Sequence, residues 1–337
     1  MTSSTTSSYR IKGHWLLLAR AVWIILALIT ILVFIAALGG LYTGWHKPCN
    51  TYKPEEQADC FKQDQALQYF GLTRNFYSIY FPIGVIVEVL PWILAGIVIF
   101  WKKSDEPFGI LFSLMLVVAS TFNLDEGIVE SALFLYPIPQ HILQGMWFIG
   151  GSLLILWYRF PNGRFVPRWL RWAAILWVLL EAGINVFPGS PFNFESWPYP
   201  WGDGIRVLFA ASIIYSLAYR YRHTSDLVQI QQIKWVALSV SMVAMMYIYR
   251  LLVGPLVDWG LMTWNDNATV IFQLTYVPLW YLSVMFVGVS LGFSILRYRL
   301  WDIDFIINRS LVYGSLTILL AAIFGGSLFL VSLFVQG

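Results

Sequence analysis

Nine apolar stretches, most of them about as long as a bilayer is thick, alternate with connectors that are by turns crowded with Lys and Arg and nearly free of them. The stretches run over 21–42, 76–101, 107–122, 141–158, 172–187, 205–219, 235–257, 272–296 and 311–335. Segments of about 17–25 residues cross a hydrocarbon core of about 30 Å. A backbone in lipid must close its own hydrogen bonds, which predicts a helix for each. The expected fold class is an all-α integral membrane protein, a polytopic helical bundle of about nine transmembrane helices. Composition agrees: 12% of residues are charged and 58% hydrophobic, whereas soluble domains carry roughly 25% charged residues.

The connectors set an orientation. Arg10, Lys12, Arg20, Lys102, Lys103, Arg159, Arg164, Arg168, Arg171, Arg220, Arg222, Lys234, Arg297, Arg299 and Arg309 fall on one side of this arrangement. Lys47, Lys53, Lys62, Arg74 and Arg206 fall on the other, and Arg250 lies inside a span. Short-loop Lys and Arg stay in the cytoplasm, which predicts a cytoplasmic N-terminus. Residues 1–18 read as a polar cytoplasmic tail, 19–337 as the membrane domain, and 43–75 as an extracytoplasmic loop. The first apolar run is longer than the roughly 7–15 residues of a signal-peptide core, so it reads as an uncleaved span. The net charge of +3 is distributed by side rather than gathered into a patch; lipids are the expected partners and nucleic acid is not.

Cys49 and Cys60 share the one long polar loop. An oxidising compartment would favour a disulfide between them, with two free thiols as the alternative.

Ionisable residues within spans are few. Glu88 sits between Pro82 and Pro91, Glu181 lies in the fifth stretch and Arg250 in the seventh. A charge at that depth costs about 3 kcal/mol or more and needs a partner or a wet cavity. Arg250 is therefore expected to pair with Glu181 or Glu88. Such a pair either fixes helix register or marks a polar ligand pocket or proton-sensitive switch. His141, beside Asp125, Glu126 and Glu130, is either a pH-sensitive group or an ordinary interfacial residue. Trp197, Tyr199 and Trp201 fit a headgroup-level aromatic belt; the prolines at 188, 191, 198 and 200 would stiffen their loop into a lid.

The last connector, LRYRLWDIDFIINRSLVYG over Leu296–Gly314, concentrates Arg297, Arg299, Asp302, Asp304, Asn308 and Arg309. Arg164, Arg168 and Arg171 either contact lipid phosphates or dock on Asp302 and Asp304.

FPNGRFVPRW (160–169), QQIKW (231–235) and LRYRLWDIDFIINRSLVYGSLT (296–317) resemble, in order and spacing, the multi-span N-terminal sensor regions of bacterial sensor histidine kinases. The resemblance runs from about Phe76 onward, and the third motif is the most specific. Asn162 and Trp301 depart mildly from its pattern. It implies a bacterial inner-membrane protein, a sensing and signal-transmission role in two-component-type signalling, a homodimer and a cytoplasmic signalling partner. In that family a tenth span feeds a kinase domain; this sequence stops at Gly337, before either. No phosphoacceptor histidine region, ATP-binding glycine box, nucleophile elbow or HExxH motif is present. No catalytic residue, cofactor or metal site is therefore expected, the Asp302/Asp304 pair included. The alternative function is a small-molecule or ion transporter, with prolines breaking helices near a midplane site.

Overall fold

The computed structural model describes residues 10–51, 54–122, 140–161, 163–198, 200–224, 226–258 and 266–296. Among them the protein is all-helical, with no strand: α1 His14–His46, α2 Pro54–Tyr69, α3 Arg74–Lys103, α4 Pro107–Phe122, α5 Gln140–Leu153, α6 Leu170–Asn185, α7 Trp201–His223, α8 Leu227–Asp258 and α9 Asp266–Leu296. Five of these helical segments are long and apolar enough to cross a membrane: 14–46, 74–103, 141–159, 227–252 and 267–294. A sixth, 107–121, is apolar but shorter. The chain divides into two units at Leu296/Arg297. Arg297, Arg299, Asp302, Asp304, Asn308, Arg309 and the stretch 311–335 lie in the second, outside the described residues.

The polar stretch 43–75 is not simply a loop. It carries the 3₁₀ turn Cys49–Thr51 and the sixteen-residue helix α2. Thr73 then starts α3 as an N-cap, its hydroxyl accepting from the Phe76 amide at 3.3 Å. At the other end of the chain's first half, the fourth apolar stretch finishes as a 3₁₀ helix, Leu154–Arg159.

α3 is the hub, packed on α1, α4 and α9, while α9 leans on α8 and α8 on α7. α4 continues the circuit to α5, and α5 to α6. The main core lies inside this circuit, built from Trp92 and Ile99 of α3, Phe112 and Met115 of α4, Tyr158 and Phe160, Leu170 of α6, Leu217 of α7, Val236 of α8 and Leu291 of α9. The outward faces are apolar too. Ile25, Leu32, Ile35, Ile83, Leu94, Leu176 and Leu179 are exposed, a surface that suits acyl chains and not water.

α3 and α9 run parallel in close contact. From one end to the other, the Tyr80 hydroxyl donates to the Gln273 carbonyl at 3.1 Å, the Tyr281 ring lies on Gly84, and the Trp92 indole donates to the Val284 carbonyl at 2.8 Å. Trp92 also lies on Gly288, and Ala95 on Gly292. Small residues let the two backbones approach, as in membrane helix pairs generally.

The connectors sort into two ends. The Arg10 guanidinium pairs with Asp105 at 3.4 Å and Arg20 donates to the Ser104 hydroxyl at 3.0 Å, so the start of α1 meets the α3–α4 turn. Phe108, just beyond that turn, packs on Gly163 and under Arg159. This is the basic end. Cys49, Cys60 and α2 stand at the opposite, cysteine end, where Leu67 of α2 shares a cluster with Tyr77 of α3 and Val270 of α9.

Candidate functional site

At the first turn of α7, near the cysteine end, four charged side chains interlock. Asp203 is 7% exposed. Its Oδ1 is 3.4 Å from Arg206 Nη1, and its Oδ2 is 3.3 Å from Arg250 Nε on α8. Arg206 also forms a short ion pair with Glu195, on the 3₁₀ turn Phe194–Ser196, and its guanidinium stands 5.3 Å over the Phe194 ring. Asp203 forms where an acid is favoured, since the first turn of a helix exposes amide dipoles. The network ties the Pro-rich loop, α7 and α8 together.

This corrects the expected pairing of Arg250. Its partner is Asp203, not Glu181 or Glu88, and its side chain is 61% exposed rather than sunk in the bundle. Arg206, counted in the sequence as one more loop cation, is the centre of the cluster. Helix α7 begins at Trp201, four residues before the expected span, and that early start carries both Asp203 and Arg206 onto the α8-facing turn.

Glu181 and Glu88 are the two carboxyls buried away from this network. Glu181 is fully buried. Its Oε2 accepts from Asn185 Nδ2 at 3.2 Å, its Oε1 has no hydrogen-bond partner, and it lies within electrostatic reach of Glu195 and Arg206. The carboxyl rests on Gly151 of α5, beside the Trp177 indole, which donates to the Gly151 carbonyl at 2.9 Å. Glu88 is 1% exposed, in the α3–α9 seam, with Oε1 unpartnered and the Trp280 indole facing its carboxyl. Trp280 meets Tyr247 edge-on at 5.2 Å, and Tyr247 lies within electrostatic reach of Asp203, Arg206 and Arg250. The three span-borne residues thus do not touch one another. Arg250 contacts the α7–α8 charge cluster directly, whereas Glu181, and Tyr247 against the Trp280 that faces Glu88, lie only within electrostatic reach of it.

At the basic end, Arg164, Arg168 and Arg171 are exposed, and Arg171 stacks over Trp172 at 5.2 Å. Their expected partners, Asp302 and Asp304, lie outside the described residues. The residue that holds this connector is one the sequence did not single out. Arg220 of α7 is 4% exposed and donates to the Tyr158 carbonyl at 2.6 Å and to the Arg164 carbonyl. Ser216, one turn earlier, donates to the Val166 carbonyl at 2.9 Å. Buried carbonyls of an irregular segment need such donors, and a cation at the end of a helix is also favoured by the helix dipole. In the second motif, Gln232 donates to the Ser294 carbonyl in the last turn of α9. Two turns further along α8, and one turn back along α9, the Ser290 hydroxyl donates to the Ser239 hydroxyl at 2.9 Å and joins the two helices.

Cys49 and Cys60 form a disulfide, S–S 2.04 Å. His141 is exposed at the start of α5; Asp125, Glu126 and Glu130 lie outside the described residues. Comparison with protein-family models, with curated proteins and with solved structures gives no match to this chain.

Proposed function

We propose that the chain is a sensing and signal-transmission module that crosses a bacterial inner membrane nine times, with its N-terminus and its basic end in the cytoplasm. One observation carries this reading. Helix α8 holds Arg250 in the Asp203 cluster at one end and Gln232 on the last turn of α9 at the other. A stimulus that favours one arrangement of the cluster would therefore bias the turn that leads into the 297–309 connector, which is what differential binding to two states requires. The gathering of Arg10, Arg20, Lys103, Arg159 and Arg220 at one end supports the orientation. The motif resemblance supports signalling through a homodimer and a cytoplasmic partner, with no catalysis by these residues.

The test is hydrogen exchange of the full chain in lipid nanodiscs. Asp203→Asn removes the shared acid, and amides around 290–296 should exchange faster than in the parent. Unchanged exchange there, with the cluster demonstrably disrupted, would sink the coupling. Small-molecule or ion transport is the second reading, favoured by the orphan Glu88 oxygen, which lies between Pro82 and Pro91 of α3 and against α9, a helix that itself carries Pro278. Substrate or ion flux into liposomes that is lost in Glu88→Gln would decide for it.

A further inference from the structure

The cysteine end holds a second concentration of reactive groups. Cys49, Cys60 and Asp64 bring their ligand atoms within 4.8 Å of one another, but both sulfurs are spent in the disulfide. What distinguishes the bridge is its asymmetry. Arg74 Nη1 is 2.8 Å from Cys60 Sγ and 3.5 Å from Cys49 Sγ. Asp64 Oδ2 lies 3.3 Å from Cys49 Sγ, while Asp64 Oδ1 pairs with Arg74 at 3.2 Å. The guanidinium reaches both sulfurs but lies closer to Cys60, at 2.8 Å against 3.5 Å, and Cys49 has the carboxylate beside it as well. The same arginine donates through Nε to the Trp45 carbonyl at 3.2 Å, so it joins the end of α1 to the start of α3.

Thiol–disulfide exchange is a displacement at sulfur, and its rate depends on how well the departing thiolate is stabilised. A thiolate is stabilised by an adjacent arginine. We infer that the Cys49–Cys60 bridge is a directional redox-modification site for small thiols, with Cys49 the sulfur attacked and Cys60 the sulfur that leaves onto Arg74.

A thiolate RS⁻ adds to Cys49 Sγ as the Cys49–Cys60 bond breaks, and the electron pair departs on Cys60 Sγ. The product is a Cys49–SR mixed disulfide beside a Cys60 thiolate paired with Arg74. A second RS⁻ attacks the sulfur of the bound SR group and releases RSSR and the Cys49 thiolate. Two thiols are oxidised and one bridge is reduced by two electrons. Cys49 and Cys60 are largely buried, while Pro48 and Asn50 on either side of Cys49 are exposed, so the attack requires that short turn to open on its outer side. The new charge on Cys60 draws on the guanidinium that also holds Trp45 and Asp64, which makes the α1–α3 junction respond to the state of the bridge. This goes beyond the sensor reading and does not depend on it.

The test uses the full chain in nanodiscs, given a brief pulse of 2-mercaptoethanol and then a large excess of maleimide that consumes the remaining reagent and caps each freed cysteine, followed by peptide mass spectrometry. The expected first product carries the mercaptoethanol disulfide on Cys49 and the maleimide on Cys60. R74Q should open roughly ten-fold more slowly and lose the bias, because the charge-assisted contact to the departing sulfur is gone. R74K, which keeps a cation, should retain the bias. An even split, the reverse assignment, or no reaction of the folded chain overturns the inference. So does a bias in R74Q equal to that of the parent.

Discussion

Gly150 and Gly151 are neighbours in sequence that serve different helices. A Cβ on Gly150 would press on the Val118 carbonyl of α4 at 3.2 Å, whereas one on Gly151 would overlap the Glu181 carboxyl of α6. Gly145, a turn and a half earlier on the same helix, has open space around it. Gly145→Ala is therefore expected to raise stability by about 0.5–1 kcal/mol through helix propensity, while Gly151→Ala is expected to lower it by about 1–3 kcal/mol through overpacking. Thermal unfolding in detergent would distinguish the two signs. The charge cluster gives a second contrast. Arg250 is mostly exposed, so Arg250→Gln should change stability by less than about 1 kcal/mol. Asp203→Asn takes the acid from both pairs at a site that is 7% exposed, while Arg206 keeps Glu195, and should cost more than Arg250→Gln, about 1–2 kcal/mol, in the same assay. The sequence marked Arg250 correctly as a cation in need of a partner, but the partner depends on where α7 begins. A shift of four residues in a helix start is invisible to hydropathy and decides which side chains face α8.

Among elements, the apolar helices were legible and their punctuation was not. Eight of the nine expected apolar stretches fall on helical segments among the described residues, because length and apolarity in lipid leave the backbone no other option. α2 was hidden because PEEQADCFKQDQALQY is polar and its helicity rests on local features, a proline and acids at its start. Arg220 was hidden for a related reason. In RYRH it reads as one of several interfacial cations, and only the fold reveals that the carbonyls of Tyr158 and Arg164 converge on it. Two element-level outcomes follow. Trp92→Phe removes the indole donor to Val284 and should weaken the α3–α9 contact by about 1–2 kcal/mol, read as loss of stability in detergent. Gln232→Ala should leave the fold intact yet speed amide exchange in the final turn of α9, since the side chain that clasps Ser294 is gone. If exchange there is the same as in the parent, Gln232 does not secure that turn.

For the whole molecule, the arrangement predicts sidedness. A phosphatase reporter active only outside the cytoplasm should be active when fused after Gly71 and inactive when fused after Lys103 or His223; activity after Lys103 would reverse the proposed orientation. The sequence supplied this prediction through its Lys and Arg distribution, and the structure adds that the basic connectors meet at one end. What the sequence could not supply is the meeting of Glu88, Trp280 and Tyr247, which come from three different helices.

The parallel course of α3 and α9 has a mechanical consequence. α3 is gripped along its length by α1 and α4 and ends in the tight α3–α4 turn, where Lys103 and Glu106 pair at 2.7 Å. On the proposed signalling reading α3 would serve as the rail, with α9 sliding on it over Gly288 and Gly292 while tethered to α8 near its final turn, and a displacement entering at the cysteine end would arrive at Leu296 in the same direction.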